Sequence, residues 1–169
     1  MRLRHLYCAF RRCSRRILRI VGFCVPANVP PSDHILRFAA WGRLRKEGEG
    51  NKVVGLLPQA LERKLGEEYL SVTWVEYFPG DKAAQIVAAV RAFRATHSAG
   101  GKSAFGIANV GILHEKCLSK GSRVRVTHEP EVKNKGHSAI RQLPDDNLDL
   151  LDLLAKEAFT DLIFNADIP

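Results

Sequence analysis

A sharp change in charge near residue 32 decides which part of this chain can build a packed core. Residues 1–32 contain seven arginines and no acidic residue, so this segment carries all but one of the eight excess positive charges. Its prolines at 26, 30 and 31 disfavour regular structure before the next segment. We therefore predict a basic, poorly ordered extension over residues 1–32 and a single domain over residues 33–169.

The basic extension fits four interpretations that its sequence leaves open. A secretory signal would need a longer apolar core than the stretch after Arg19 offers, and an organelle transit peptide would contain more serine. A basic amphipathic tether would bind nucleic acid or an anionic membrane, and the fourth interpretation is a poorly ordered extension or translation from an upstream start. Because residues 33–169 are almost neutral, we expect such contacts through the extension and not through the domain. A protein partner for the domain stays open.

Cysteine spacing and the length of apolar runs indicate the cellular compartment in which the protein is expected. Cys8, Cys13, Cys24 and Cys117 include no CxxC pair, so the spacing favours neither a zinc site nor a disulfide framework. No apolar run approaches ~18 residues, and we therefore predict no transmembrane segment. These features favour free thiols in a reducing, cytoplasmic setting.

Hydrophobic periodicity predicts a small α+β domain with a mixed or antiparallel sheet and two main helices. A β-hairpin is expected with arms at 35–44 and 53–57, a strand at 69–74, and further strands at 103–113 and 122–129. The clearest helix follows Asp81, where apolar residues recur at steps of three and four, and Gly100 and Gly101 end it. A last helix is expected over 147–164, with Leu148, Leu151, Ala155, Phe159 and Leu162 as its buried stripe and Asp145 or Asp146 as its N-cap.

The glycine-rich GGKSAF segment at 100–105 resembles part of a phosphate-binding P-loop but lacks its context. A P-loop needs an earlier glycine where this chain has Thr96, and it must lead from a strand into a helix. Here a predicted helix leads into a predicted strand. The segment therefore predicts a turn that ends a helix.

Two segments supply polar groups that could line a small-molecule pocket. In YLSVTWVEYF, residues 69–78, Ser71 and Glu76 lie among aromatic residues, although a plain core strand explains the same pattern. Arg37 interrupts an apolar strand. An arginine in this position either faces solvent or points inward and holds a carboxylate or phosphate.

The strongest candidates for chemistry are His128 and His137 in VTHEPEVKNKGHSAIRQLP. Their nine-residue gap fits neither one helical face nor one strand face, so the two imidazoles can meet only if the loop folds back. Such a pair could act as general acid and base or bind an anion beside Lys133 and Lys135. A metal site would lack a third clear ligand, and a solvated loop with incidental histidines is also compatible.

Three segments, DHILRF, YLSVTWVEYF and HEPEVKNKGHSAIRQLP, resemble an uncharacterised group of small bacterial proteins that share YLSVxWxEYF and HxP…HSxI stretches. The resemblance covers residues 33–158 and implies a bacterial cytoplasmic protein, with no activity or cofactor attached. A weaker likeness to ADP-ribosyltransferase-type folds places Arg37, Ser71 and Glu76 in possible catalytic positions, although the late glutamate motif of those folds is missing.

Two classes of function remain compatible with the sequence. The first is a small bacterial interaction or regulatory protein without chemistry of its own. The second is an enzyme that acts on a nucleotide or phosphate-bearing substrate through a pocket with Arg37, Ser71, Glu76, His128 and His137. The first predicts exposure of Arg37 and the histidines, and the second predicts their convergence on one concavity.

Overall fold

The computed structural model describes residues 27–64 and 66–169, so most of the predicted basic extension, residues 1–26, lies outside the described residues. The described part has the predicted α+β fold, with a seven-stranded antiparallel sheet, a two-stranded sheet and three α-helices. The strands are β1 Ala27–Asn28, β2 His34–Ala39, β3 Leu44–Glu47, β4 Lys52–Leu56, β5 Tyr69–Trp74, β6 Ala104–Asn109, β7 Arg125–His128, β8 His137–Arg141 and β9 Asp161–Phe164. The helices are α1 Lys82–Arg94, α2 Val110–Ser119 and α3 Leu148–Glu157.

The large sheet is the middle of three layers. Its strand order is β1-β7-β8-β5-β2-β6-β9, and each neighbouring pair is antiparallel. One face packs against α2, α3 and the β3–β4 hairpin through buried residues such as Leu56, Leu113 and Leu151. The other face packs against α1, where Val90 meets Phe105. Each helix and sheet face thus buries its apolar side. Among the described residues, every helix is too short or too polar to span a lipid bilayer.

The packed chain begins before the predicted boundary at residue 33. Strand β1 pairs with β7, and the Val29 side chain is 2% exposed in the main core. The Pro31 carbonyl accepts a hydrogen bond from the Gly111 backbone N–H at 2.8 Å. Residues 27–32 therefore belong to the packed structure.

The predicted hairpin is correct in its second arm and wrong in its first. Residues 35–39 lie in the central strand β2, whereas the hairpin itself consists of β3 and β4 in a separate small sheet. A 3-10 turn at Trp41–Arg43 separates the two segments and redirects the chain. The apolar run from 35 to 44 is thus divided between two sheets, which its composition does not reveal.

Helix α2 occupies a segment that was predicted as the end of a strand. Strand β6 stops at Asn109, whose side-chain Oδ1 accepts a hydrogen bond from the Ile112 N–H at 3.1 Å and so caps the helix. Val110, Leu113 and Cys117 are buried at helical spacing. The prediction of one strand over 103–113 is therefore wrong after residue 109.

The last predicted helix is shorter than expected. Asn147 provides the N-cap in place of Asp145 or Asp146, and α3 ends at Glu157. The following strand β9 then pairs with β6 at the edge of the large sheet. Leu151, Ala155 and Phe159 are buried as predicted, but Leu148 is 58% exposed.

We predict that Leu151→Ala lowers the free energy of unfolding by about 2–5 kcal/mol, because it empties a packed leucine position. Leu151 is fully buried on α3. The matched control is Leu148→Ala on the same helix, which removes an exposed leucine and should change stability by less than about 0.5 kcal/mol. Urea denaturation measures both, and equal effects of the two variants would contradict the packing of α3 described above.

Candidate functional site

The backbone hydrogen bonds between strands β2 and β5 stop after the first residues of β2. In the described strands, β2 pairs with β6 along its whole length but with β5 at two positions near its start. Beyond these positions Arg37 reaches across from β2. Its Nη1 donates to the Ser71 carbonyl at 2.8 Å, and its Nε donates to the Ala60 carbonyl at 2.9 Å. A side chain thus supplies hydrogen bonds where the strands no longer pair.

A cavity of about 530 Å³ lies at this interruption and is lined by both Arg37 and Ser71. Leu36, Phe38 and Phe93 contribute apolar wall. An apolar wall with a few convergent polar groups is typical of a small-molecule site. The charged residues that line the cavity are Arg37, Arg43, Lys64, Glu67 and Glu131.

His137 lies on β8 beside Ser71 and is 6% exposed. Its Nδ1 is 2.8 Å from the Glu129 carbonyl oxygen, and its Nε2 is 3.2 Å from Ser71 Oγ. Because a carbonyl can only accept, Nδ1 carries a proton and donates to it. In the neutral ring Nε2 therefore accepts a hydrogen bond, and the Ser71 hydroxyl donates it.

The segment between β7 and β8 is held by the carboxylate of Glu129. Arg141 donates to it from Nε at 2.7 Å and from Nη2 at 2.8 Å, and the Thr127 hydroxyl donates at 2.6 Å. The hydrogen bond from Arg141 keeps the pKa of Glu129 below its usual value. This two-point contact fixes the residue whose carbonyl orients His137.

Arg37 and Arg43 are cations without a salt bridge among the described residues. Burial and the nearby charge of Arg43 lower the pKa of Arg37 to about 10, and the charge of Glu67 opposes this shift in part. Glu67, in contrast, pairs with Lys64 at 3.7 Å. Two cations that repel each other at a cavity favour a bound anion between them.

Asn134 contributes an unpartnered polar atom at the cavity. The residue is 3% exposed, and its Nδ2 donates to Thr73 Oγ1 at 3.1 Å. Its Oδ1 has no hydrogen-bond donor within the described part of the chain. A buried acceptor without a donor is costly, so this carbonyl favours a ligand that supplies an N–H or O–H.

The five residues predicted for a site separate into two groups. Arg37, Ser71 and His137 line the same cavity, whereas Glu76 and His128 do not line it. His128 is directly opposite Ser138 in the β7–β8 pairing, so it shares a sheet face with Ser138. The preceding residue, His137, points to the other face. The chain does fold back between the histidines, but the two side chains diverge.

Glu76 and His128 have structural partners of their own. The Glu76 carboxylate accepts hydrogen bonds from the His34 backbone N–H at 2.7 Å and from Lys82 Nζ at 2.8 Å. Burial raises the pKa of Glu76, but these hydrogen bonds outweigh it and the net shift is downward. His128 packs against Trp74 and Tyr77, with ring centroids 5.3 and 5.0 Å away.

Sequence reasoning missed most of the residues that complete the cavity. Arg43 lies in a 3-10 turn, Lys64 follows a second such turn, and Asn134 lies between two strands. Arg43 falls inside the predicted hairpin arm at 35–44, Asn134 falls in the loop between the two histidines, and no spacing relates either of them or Lys64 to Ser71. Glu131 also lines the cavity, and its Oε1 lies 3.6 Å from His137 Nε2.

Within residues 27–64 and 66–169, no group of three or more His, Cys, Asp or Glu side chains could hold a metal ion. Cys117 is buried and free, and burial raises the pKa of its thiol to about 11. Cys8, Cys13 and Cys24 lie outside the described residues.

Comparison of the chain with family models, curated proteins and solved structures gave no match.

We predict that Glu129→Gln lowers stability at neutral pH and that the loss shrinks as the solution is acidified. The folded-state pKa of Glu129 lies below its ordinary value of 4.5, so its contribution is present above that pH. It is lost as the pH falls through the lower folded-state value. Urea denaturation from about pH 7 to about pH 3 measures the difference from the parent protein.

The control for this measurement is Glu49→Gln, which changes an exposed glutamate in the β3–β4 turn. Glu49 forms no salt bridge among the described residues, and its replacement should have little effect at any pH. A constant stability gap between Glu129→Gln and the parent across the pH range would show that the ion pair with Arg141 does not stabilise the fold.

Proposed function

We propose that this protein is an enzyme that binds a phosphate-bearing small molecule, such as a nucleotide, in the cavity beside β2 and β5. One observation carries the proposal: Arg37 and His137 both contact Ser71, one at its carbonyl and the other at its hydroxyl. An anion-binding group and a proton-transfer group are thereby neighbours in one concave site. In this assignment His137 is the general acid or base.

Charge supports phosphate as the bound group. Arg37 uses two of its N–H groups on backbone carbonyls, which leaves the rest of its fork for a ligand. Arg43 adds a second cation without a salt bridge in the described chain. Its charge disfavours the protonated form of Arg37, Glu67 offsets this effect in part, and a bound anion would offset it further. Phosphate oxygens match the fork of arginine and spread the charge over several acceptors.

The alternative, an interaction or regulatory protein without chemistry, has weaker support. It predicts that the histidine segment and Arg37 face solvent. His137 is 6% exposed with both ring nitrogens in hydrogen-bonding distance of protein atoms, and Arg37 is partly buried. His128 packs against Trp74 and Tyr77 and does not line the cavity, so it has no part in this proposal. The bacterial, cytoplasmic setting expected from the sequence stays a prediction.

Binding of phosphate compounds tests the proposal directly. A panel of inorganic phosphate and nucleotides should raise the thermal unfolding temperature, because a ligand that binds the native state stabilises it. Arg43→Gln should weaken this binding about tenfold or more, since a charge-assisted hydrogen bond contributes about 1.5–3 kcal/mol. Titration calorimetry with the compound that binds gives the affinities.

The matched control is Lys133→Gln, which removes one positive charge from an exposed position that does not line the cavity. Its affinity for the same compound should stay close to that of the parent protein. If no phosphate compound binds, or if Arg43→Gln and Lys133→Gln weaken binding equally, the cavity is not a phosphate site and the proposal fails.

A further inference from the structure

The Ser71 hydroxyl has a defined proton acceptor. Its Oγ lies 3.2 Å from His137 Nε2, and the opposite ring nitrogen is held by the Glu129 carbonyl at 2.8 Å. The carbonyl fixes the tautomer, so the lone pair of the neutral ring points to Ser71. A hydroxyl, an imidazole and a third group that orients the imidazole are the parts of an activated nucleophile.

A carboxylate lies beside the imidazolium that forms when His137 takes up the proton. A doubly protonated ring carries an N–H at Nε2, and the Glu131 carboxylate lies 3.6 Å from that atom. The Glu131 backbone N–H donates to the Asn134 carbonyl at 3.0 Å, which fixes the backbone from which this carboxylate extends. A carboxylate at this distance stabilises the positive charge that develops on His137 during proton transfer.

Ser71 differs from Ser138, which follows His137 on β8, and from Ser98. Ser138 is fully buried and its hydroxyl donates to the Gly136 carbonyl at 3.2 Å. Ser98 lines the same cavity but is not hydrogen-bonded to an imidazole in the described structure. Ser71 is also the residue whose backbone carbonyl accepts a hydrogen bond from Arg37 at 2.8 Å.

We infer that Ser71 is the nucleophile of a phosphoryl-transfer reaction and that His137 is its general base. This inference rests on the proposed function, because the phosphate-binding cations supply the substrate class. In the first step Ser71 Oγ bonds to phosphorus while the bond from phosphorus to the leaving oxygen breaks. The Ser71 proton passes to His137 Nε2 and then to the leaving oxygen.

The second step regenerates the enzyme with water. A water oxygen bonds to phosphorus, its proton passes to His137, and the bond between phosphorus and Ser71 Oγ breaks. The proton then returns to Ser71 Oγ, and inorganic phosphate is released. The overall reaction is hydrolysis of a phosphate ester, and Arg37 and Arg43 balance the negative charge of the phosphoryl group.

Diisopropyl fluorophosphate tests the nucleophile independently of phosphate binding, because this probe carries no negative charge. Attack by Ser71 Oγ on phosphorus expels fluoride and leaves one diisopropylphosphoryl group on the protein. Intact mass spectrometry should show a single addition, and peptide mapping should place it on Ser71. Ser71→Ala should abolish the labelling, and His137→Gln should slow it about 100-fold or more, the usual contribution of a general base.

Two controls make the result specific. Ser98→Ala removes another hydroxyl from the same cavity and should leave the labelling rate unchanged. Ser71→Ala should still bind phosphate, because Arg37 contacts the backbone carbonyl of residue 71 and not its hydroxyl. Circular dichroism verifies that each variant is folded.

The outcomes separate this inference from the proposed function. A protein that binds phosphate but is not labelled, or that is labelled at another serine, overturns the role of Ser71 and leaves the phosphate site intact. Labelling at Ser71 without any phosphate binding supports the nucleophile and overturns the proposed substrate class. Equal labelling rates for the parent and a folded His137→Gln variant overturn the role of His137 as base.

Discussion

The hydrogen bonds from Arg37 to two backbone carbonyls are the constraint on which the rest of the site depends. Where the ladder between β2 and β5 stops, the carbonyl of Ser71 has no strand partner on β2 in the described pairing. The Arg37 side chain donates a hydrogen bond to this carbonyl, and it donates another to the Ala60 carbonyl in the neighbouring 3-10 turn. The sheet can therefore open without leaving these acceptors unpaired, which would cost about 1–3 kcal/mol each. The same side chain makes the opening positively charged.

The antiparallel sheet provides the precision that chemistry at this opening would need. Ser71 and His137 lie on adjacent strands, and their contact follows from the β5–β8 register. The remaining freedom of His137 is removed by the carbonyl of Glu129, whose carboxylate is fixed by Arg141. Groups placed by paired strands and held by further hydrogen bonds are more rigid than groups on loops.

The candidate residues could be recognised from the sequence in part, for identifiable reasons. Arg37 was noticed because an arginine interrupts an apolar strand, and such a residue requires partners wherever it points. His128 and His137 were noticed as a pair, but strand pairing places them on opposite faces of the sheet. Glu76 follows the end of β5 and forms an ion pair with Lys82. Arg43 reaches the cavity from a 3-10 turn and Asn134 from a loop, and no sequence spacing relates either residue to Ser71.

The sequence by itself determined the features that depend on neighbouring residues. It predicted the α+β class, the span of β5 and the presence of helix α1, because hydrophobic periodicity acts within a few residues. The tertiary structure decided where β6 becomes α2, how β9 closes the sheet edge and which polar groups share a cavity. The contact between Arg37 and Ser71 joins residues 34 positions apart, and that between Ser71 and His137 joins residues 66 positions apart. Such contacts arise from strand order and register, and a local pattern carries no information about either.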